Sequence, residues 1–223
     1  MIWDWSYAWH ILPMILRGAV VTIEATLLGT ALSALLGLVW AALQLTQSKF
    51  VGWAALGLTE FIRDTPLLIQ IYFVFYVMPT FGLTLSPLTA GVLALGINYS
   101  AYVSEIYRAG LGSVPKGQWE AARALNLGHS RTFFAIILPQ AIPPVLPALG
   151  NNLIAMFKDT PLLYTITVAE MMERAIAIGD ATFRYLEPIT IVGLLFLLMS
   201  LVSSAGVNLL AKRMANLPGG RTS

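Results

Sequence analysis

Charge is scarce in this chain, and cysteine is absent. Only 11% of the 223 residues are Asp, Glu, Lys or Arg, and 57% are hydrophobic, whereas soluble domains carry about 25% charged residues. This composition excludes an ordinary soluble domain. The lack of cysteine excludes a small secreted domain held together by disulfides. The net charge of +2 gives no indication of a nucleic-acid partner.

The few charged residues leave four long uncharged gaps. The gaps hold 24 residues after Glu24, 40 after Asp64, 26 after Arg131 and 24 after Glu187. One helix needs about 20 apolar residues to cross about 30 Å of hydrocarbon. The gaps therefore predict one, two, one and one crossings, which makes the chain an all-α polytopic membrane protein with five transmembrane helices.

Turn residues at Met78–Gly82 and at Pro87 divide the longest gap into two crossings. We expect spans at about 18–45, 60–80, 88–107, 133–157 and 188–211, within a single domain of residues 18–212. The remaining parts are then an outer N-terminal segment 1–17, a cytoplasmic loop 108–132, an outer loop 158–187 and a cytoplasmic tail 213–223.

The distribution of basic residues predicts the orientation of these spans. Segments 46–57, 108–132 and 212–223 fall on one side and together hold eight Lys or Arg residues, while the other side holds four. Cytoplasmic loops carry the excess of Lys and Arg. The N-terminus is therefore expected outside the cell and the C-terminus inside.

The loop between the third and fourth spans is long enough to contain a helix of its own. This helix would begin near Pro115 and end at Asn126 and Gly128, which are residue types that tolerate positive φ at a helix C-terminus. Ser130 could then cap the helix that leads into the fourth span. A short cytoplasmic helix with small residues suits docking into a groove on another protein.

The loop also carries a motif. Glu120-Ala121-Ala122 is followed by position 126 and then by Ile136, Leu138 and Pro139. This spacing resembles the coupling loop of importer-type ABC permeases. Asn126 stands where that family has glycine, and Asn is the next best residue for a left-handed turn.

Other stretches extend the resemblance over most of the chain. Residues 18–23, 63–68, 101–110 and 158–162 are similar to the polar amino-acid uptake branch, which serves histidine, glutamate, glutamine, arginine and opines. The stretches Lys158–Leu163 and Phe183–Thr190 also resemble the sub-branch for ectoine and hydroxyectoine.

The resemblance implies a type I importer permease bundle (MetI-like) in the bacterial cytoplasmic membrane. Such a subunit moves a polar amino acid or a compact zwitterion such as ectoine from an extracytoplasmic binding protein into the cytoplasm. The resemblance also implies three kinds of partner. They are a second permease subunit, identical or homologous, the membrane lipid around both subunits, and two ATP-binding subunits that dock on the loop 117–128. The implied coupling residues are Glu120, Ala121, Ala122, Asn126, Gly128, Leu138 and Pro139.

Motifs for catalysis are absent from the sequence. It has no Gly-x-x-x-x-Gly-Lys-Ser/Thr phosphate loop, so we expect ATP to bind a partner subunit and the chain itself to be no enzyme. The two histidines, His10 and His129, belong to no metal-binding or hydrolase motif. We therefore expect no cofactor, no metal and no catalytic residue.

Polar residues inside the spans are candidates for a substrate pathway. Pro66 removes a backbone donor and disfavours the helical conformation of Thr65, so the second span is expected to break there. Broken spans free polar groups to meet a solute. The candidates are Arg63, Asp64, Thr65, Gln70, Asn98, Tyr99, Lys158, Asp159 and Thr160. Asn151 and Asn152 are weaker candidates. For these two, and for Gln70, Asn98 and Tyr99, the alternative is hydrogen bonding between helices.

The hexapeptide Arg63–Leu68 is echoed at Lys158–Leu163. One interpretation is a shared local structure in which Asp or Thr caps a helix opened by Pro. The other is that both segments line the pathway and hold a zwitterion between a base and an acid.

In the outer loop, apolar residues at helical spacing from Val168 to Ile176 predict a helix on the outer face, either at the membrane interface or as a gate.

Two other functions remain as alternatives. A stand-alone, ion-coupled secondary transporter could use Glu24 or Asp64, although the chain lacks the paired repeats of such folds. A membrane scaffold without transport would leave the broken span unexplained.

Overall fold

The computed structural model of the chain describes residues 3–215, and this range is helical throughout apart from short connections. The helices are α1 (Trp5–Gln44), α2 (Lys49–Asp64), α3 (Leu67–Tyr72), α4 (Pro87–Gly112), α5 (Lys116–Ala124), α6 (His129–Thr132), α7 (Leu138–Asp159), α8 (Met171–Thr182) and α9 (Leu186–Ala215). Segments of π-helix at Phe73–Val77 and Phe133–Ile137 and of 3₁₀-helix at Met78–Phe81 and Thr160–Ile166 extend or join them.

Helix α1 begins well before the first predicted span. The carboxylate of Asp4 accepts hydrogen bonds from the backbone N–H groups of Ser6 and Tyr7 and so caps the helix. The helix then runs for 40 residues, about 60 Å at 1.5 Å per residue. Residues 5–17 are therefore the first turns of a helix that continues without interruption into the first predicted span.

The second span breaks where the sequence predicts it. Thr65 adopts extended backbone angles, with φ of −89° and ψ of 127°, as the residue before a proline prefers. The helices on the two sides, Lys49–Asp64 and Leu67–Phe81, meet at an angle of 99°. The predicted span 60–80 is thus a sharp corner, and neither arm is a straight crossing.

Three helices of the described residues are long and apolar enough to cross a membrane. They are Trp5–Gln44, His129–Ile166 and Leu186–Arg213, and the bent pair would make a fourth. Helix α4 has 26 residues but buries Asn98, Ser100 and Ser104. A fifth crossing by α4 therefore stays a prediction, and α4 is the polar helix at the centre of the bundle.

Helix α4 packs between α1 and α7. Gly37 lies so close to α4 that an added Cβ would stand 2.6 Å from Val103 Cγ1, and small residues permit this approach. The central core joins these helices to the corner and to the 3₁₀ segment; its buried members include Ala25, Ile71, Leu95, Met156 and Ile166. The core thereby fixes the position of the corner against α4 and α7.

Helix α8 confirms the helical spacing read in the outer loop, but it packs into the bundle. Met171 and Ala175 are fully buried in a cluster with α1 and α9. At Gly18 an added Cβ would lie 2.8 Å from the backbone carbonyl of Glu170. The apolar side of α8 therefore contacts α1 and α9, which leaves its polar side outward.

The ends of two other predicted elements differ from the structure. The helix entering the fourth span begins at His129 with Gly128 at the cap position, so Ser130 is not the cap. Gly128 has φ of −62° and does not use positive φ. Helix α9 continues to Ala215, so the predicted tail 213–223 begins as helix, and residues 216–223 lie outside the described range.

Candidate functional site

The corner at Pro66 leaves a backbone carbonyl without its helical hydrogen-bond donor, and two side-chain amides donate to it instead. Proline has no N–H, so the carbonyl of Ile62 loses its helical donor. The amide of Gln70 donates to Ile62 O at 2.7 Å and to Thr65 O at 3.1 Å. Asn98 Nδ2 lies 3.5 Å from Ile62 O. Both amides stabilise the corner, as interhelical hydrogen bonding predicts for them.

A polar cavity of about 350 Å³ opens beside this corner, between α2, α4 and α7. Its size is at the lower end of the range for small-molecule sites, about 300–1,000 Å³. The lining residues are Arg63, Thr65, Pro66, Leu67, Asn98, Tyr99, Tyr102, Asn152, Ala155 and Asp159. The cavity therefore brings one basic and one acidic side chain to a space that fits a small solute.

Arg63 supplies the positive charge of the cavity. One terminal nitrogen of its guanidinium donates to Glu60 at 3.1 Å, and the group lies 5.6 Å from the ring centroid of Tyr102. Its Nε is buried and has no hydrogen-bond partner among the described residues. A buried donor without a partner is costly, so this N–H is suited to a carboxylate from a ligand.

Asp159 supplies the negative charge. Tyr99, which is buried, donates its hydroxyl proton to Asp159 Oδ2 at 2.7 Å. The tyrosine thus fixes the orientation of the carboxylate while leaving its other oxygen available. Arg63 and Asp159 come from opposite walls, α2 and α7, so a base and an acid face one space from different helices.

The structure divides the nine predicted pathway residues. Arg63, Thr65, Asn98, Tyr99 and Asp159 line the cavity. The other four lie elsewhere. Asp64 is exposed at the end of α2, and Gln70 lines an apolar groove. Lys158 lines a groove between α7 and α9, and Thr160 is fully buried with its hydroxyl donating to Phe157 O.

Asn152, a weaker candidate from the sequence, also lines the cavity, whereas Tyr102 was missed by sequence reasoning. Tyr102 follows Asn98 by four residues on α4, a spacing that places side chains on one face of a helix. Helical spacing from Asn98 would have found it.

The two hexapeptides do not share a local structure, so that interpretation was wrong. Thr65 is extended and ends α2. Thr160 keeps helical angles, with φ of −57° and ψ of −29°, and α7 passes directly into a 3₁₀ segment with Pro161 in its first turn. The same five residues, Asp-Thr-Pro-Leu-Leu, therefore form a sharp corner in one place and a continued helix in the other.

The predicted loop 108–132 forms the expected short helix, α5. Asn126 has φ of 53°, which confirms the left-handed position expected where the related motif has glycine. The backbone N–H of Leu127 donates to Ala122 O, and that of Asn126 donates to Arg123 O. These are the two bonds of a Schellman motif, so Asn126 ends α5 as glycine would.

The residues of the coupling motif separate into packed and exposed positions. Ala122 is only 1% exposed, and Val114, Ile137 and Ala141 form a small core that ties the loop to the start of α7. Glu120 and Ala121 are exposed. Leu125, which the motif does not include, is 72% exposed. Ala122 therefore holds the loop in place, while Glu120, Ala121 and Leu125 are open to a partner.

A buried acid lies in the segment between α7 and α9, outside the long helices. Glu170 is fully buried and caps α8 by accepting the backbone N–H of Glu173 at 2.7 Å, while its other carboxylate oxygen has no partner among the described residues. Burial raises the pKa of Glu170 to about 7, although its hydrogen bonds oppose this shift.

Within the described range, no three His, Cys, Asp or Glu residues form a group that could hold a metal ion.

Comparison with known proteins identifies the family. Residues 33–216 match the profile of the binding-protein-dependent transport system inner membrane component. The chain belongs to this family. It is a membrane permease, similar over nearly its whole length to amino-acid ABC transporter permeases. This confirms the resemblance to amino-acid ABC permeases, the helical importer-permease fold, and the prediction that the chain is not itself an enzyme.

Individual relatives support the assignment. The chain is 47% identical to a probable amino-acid ABC transporter permease protein of Sinorhizobium fredii, with 96% of this chain and 91% of that protein covered. It is 37% identical to the glutamine transport system permease protein of Escherichia coli, with 96% and 99% covered. A crystal structure of an amino acid ABC transporter with histidines superposes with a TM-score of 0.91 at 37% identity, covering 96% of this chain and all of the other.

Proposed function

We propose that this permease imports an amino acid, which an extracytoplasmic binding protein delivers and which passes beside the corner at Pro66. The observation that carries this proposal is the pairing of Arg63 and Asp159 in one small cavity. An amino acid bears a carboxylate and an ammonium group, and the two walls offer the opposite charges. The histidines in the related crystal structure and the glutamine transport of the Escherichia coli relative support this class of cargo.

The energy for import comes, in this proposal, from two ATP-binding subunits that dock on α5. Glu120, Ala121 and Leu125 form an exposed patch on this helix. The loop is tied through Val114 and Ile137 to the start of α7, and the far end of α7 carries Asp159. A displacement of α5 would therefore reach the cavity through one helix. The proposed orientation places α5 and the C-terminus in the cytoplasm and the N-terminus outside.

The test is uptake into proteoliposomes that hold the permease with its ATP-binding subunits and the binding protein. Labelled glutamine, arginine, histidine and ectoine are offered with and without internal ATP. We expect ATP-dependent uptake of at least one amino acid. Uptake of ectoine alone would replace the amino acid by another compact zwitterion. Uptake that needs an ion gradient but neither ATP nor the ATP-binding subunits would instead favour the secondary transporter.

Docking on α5 is tested with Leu125→Ala and Glu120→Arg. Exposed apolar anchors dominate the binding energy of many interfaces, so we expect either change to lower uptake about tenfold or more while the chain remains in the membrane. Leu209→Ala is the matched control, because Leu209 is 63% exposed on α9, away from the loop. Normal uptake by both loop variants would remove α5 as the docking site.

A further inference from the structure

The cavity beside the corner holds one base and one acid, and the proposed function uses both for the backbone charges of an amino acid. Of the described residues that line the cavity, only Arg63 and Asp159 are charged. The solute's carboxylate meets Arg63 and its ammonium group meets Asp159. A further charge on the solute's side chain would then lack an opposite charge, and an unpaired charge away from water is costly. The cavity therefore favours a solute with an uncharged side chain.

The aromatic wall offers no substitute site for a cationic side chain. The guanidinium of Arg63 already lies 5.6 Å from the ring centroid of Tyr102, a distance at which a cation is attracted to the face of a ring. A second cation at Tyr102 would be repelled by Arg63, because like charges a few ångströms apart interact strongly where water is scarce. The ring of Tyr102 therefore does not favour arginine or lysine as the solute.

Two side-chain amides line the cavity, and one of them is directed at the corner. Asn98 Nδ2 lies 3.5 Å from Ile62 O, so this amide is turned towards the backbone beside Pro66. Asn152 comes from another wall, α7, and is half-buried there. A side-chain amide both donates and accepts hydrogen bonds. Asn152 can therefore pair with a solute group that also does both, such as a second amide.

The position of Asn152 limits the length of the side chain that it can reach. Asn152 precedes Asp159 by seven residues on α7, so the two lie on one face of the helix, about 10 Å apart along its axis. A hydrogen bond at each end takes about 2.9 Å. About 5 Å then remains between the solute's ammonium nitrogen and its far polar group, which is the span of about four or five bonds of about 1.5 Å each in an extended zigzag. The amides of asparagine and glutamine lie at this distance, whereas the hydroxyl of serine falls short.

We propose that Asn152 selects the side chain of the imported solute, and that this solute carries a side-chain amide, as glutamine and asparagine do. Arg63 holds the carboxylate, Asp159 holds the ammonium group, and Asn152 exchanges one donated and one accepted hydrogen bond with the amide. A site built to hydrogen-bond a polar group rejects an analogue that leaves the site's own groups unpaired. This inference rests on the proposed function, because it names the substrate class of the same cavity.

The test measures solute preference without the binding protein, which would add a preference of its own. The permease is reconstituted in nanodiscs with its ATP-binding subunits, and equilibrium binding of labelled glutamine, arginine, glutamate and leucine is measured. We expect the natural chain to bind glutamine at least about tenfold more tightly than the other three, because each of them leaves a charge or the amide of Asn152 without a partner.

Two substitutions at Asn152 separate selection from a structural role. Asn152→Asp places a second acid in the cavity, so glutamine binding should weaken about tenfold and arginine binding should tighten about tenfold. Asn152→Leu should weaken glutamine binding by a similar factor without any gain for arginine. A general loss of structure could lower the binding of every solute, but it could not raise the binding of arginine.

Asn151→Asp is the matched control. Asn151 is the preceding residue on α7, but it is exposed and lines the groove between α7 and α9 instead of the cavity. The same charge is thus added at nearly the same depth on another face, and the order of solute affinities should stay that of the natural chain. Three results would each overturn the proposal: an equal shift in this control, an unchanged preference in Asn152→Asp, or a natural chain that binds arginine or glutamate as tightly as glutamine.

Uptake into proteoliposomes distinguishes a failure of this inference from a failure of the proposed function. If the natural chain imports an amino acid with ATP while Asn152→Asp leaves the preference unchanged, Asn152 does not select the solute and the proposed function stands. If the natural chain neither binds nor imports any amino acid, both are wrong.

Discussion

The segments Arg63–Leu68 and Lys158–Leu163 have almost the same sequence and different structures. At the first, the helix stops at Thr65 and the chain turns by 99°. At the second, Thr160 stays helical and α7 runs on into a 3₁₀ segment. The threonine hydroxyls also bond differently: that of Thr65 donates to Phe61 O, and that of Thr160 donates to Phe157 O, the carbonyl that Pro161 leaves without a donor.

The surroundings explain the difference. At the corner, Gln70 and Asn98 satisfy the carbonyl that Pro66 leaves without a donor. At the second site Thr160 is fully buried, and Leu163 and Ile166 of the 3₁₀ segment are buried in the central core, so packing holds this stretch helical. A proline permits a corner, and the neighbouring side chains decide whether the corner forms.

The largest effect is expected from the two charges that the hexapeptides turn towards the cavity. Arg63→Met and Asp159→Asn should each lower ATP-dependent amino-acid uptake about tenfold to a hundredfold, since a hydrogen bond to a charged group contributes about 1.5–3 kcal/mol. Asparagine keeps an acceptor for Tyr99, so the fold should survive. Initial uptake rates in proteoliposomes measure the effect.

Lys49→Met is the control for this experiment, because Lys49 is exposed at the start of α2, away from the cavity. Its uptake should stay near that of the natural chain. Unchanged rate and unchanged solute preference in both cavity variants would show that the hexapeptides do not meet the solute.

An intermediate effect is expected from the two prolines. Pro66→Ala restores a backbone N–H that can donate to Ile62 O, so the corner can straighten. The cavity would then lose the wall that the corner forms. Uptake should fall about threefold to tenfold. Pro161→Ala should change it by less than about twofold, because the backbone before Pro161 is already helical. Equal effects of the two substitutions would contradict the structural difference between the hexapeptides.

The smallest effect is expected at Glu170, which follows the second hexapeptide, and it concerns the stability of the fold and not the rate of uptake. Its pKa in the folded protein, about 7, lies above the ordinary value of 4.5, so the folded state binds the extra proton. Stability should therefore fall as the pH rises from about 4.5 to about 7 and level off above, with a slope of at most about 1.4 kcal/mol per pH unit.

Glu170→Gln removes this titration and keeps an oxygen that can accept the N–H of Glu173. The thermal midpoint of the purified protein in detergent, measured between pH 5 and 8, should decline with pH by several degrees more in the natural chain than in the variant. Parallel curves for the two proteins would show that Glu170 does not carry the raised pKa.

Several features could be predicted from the sequence because they depend on local chemistry. The break at Pro66 follows from a missing donor and from the restriction on Thr65. The end of α5 follows from Asn126, one of the few residues that tolerate a left-handed backbone. Ser130 failed as a cap because Gly128 already occupies that position. The burial of Ala122 beneath the loop could not be predicted from the sequence, because a motif does not indicate which face of a helix is buried.

The sequence by itself determined the membrane class, the break in the second span and the family, because apolar length, proline geometry and motif spacing are local properties of the chain. Only the tertiary structure decided which candidate residues meet. Arg63 and Asp159 are 96 positions apart, and the packing of α2, α4 and α7 brings them to one cavity while turning Asp64 and Lys158 outward. The direction of a side chain depends on where its helix is packed, and identical neighbours along the chain do not fix it.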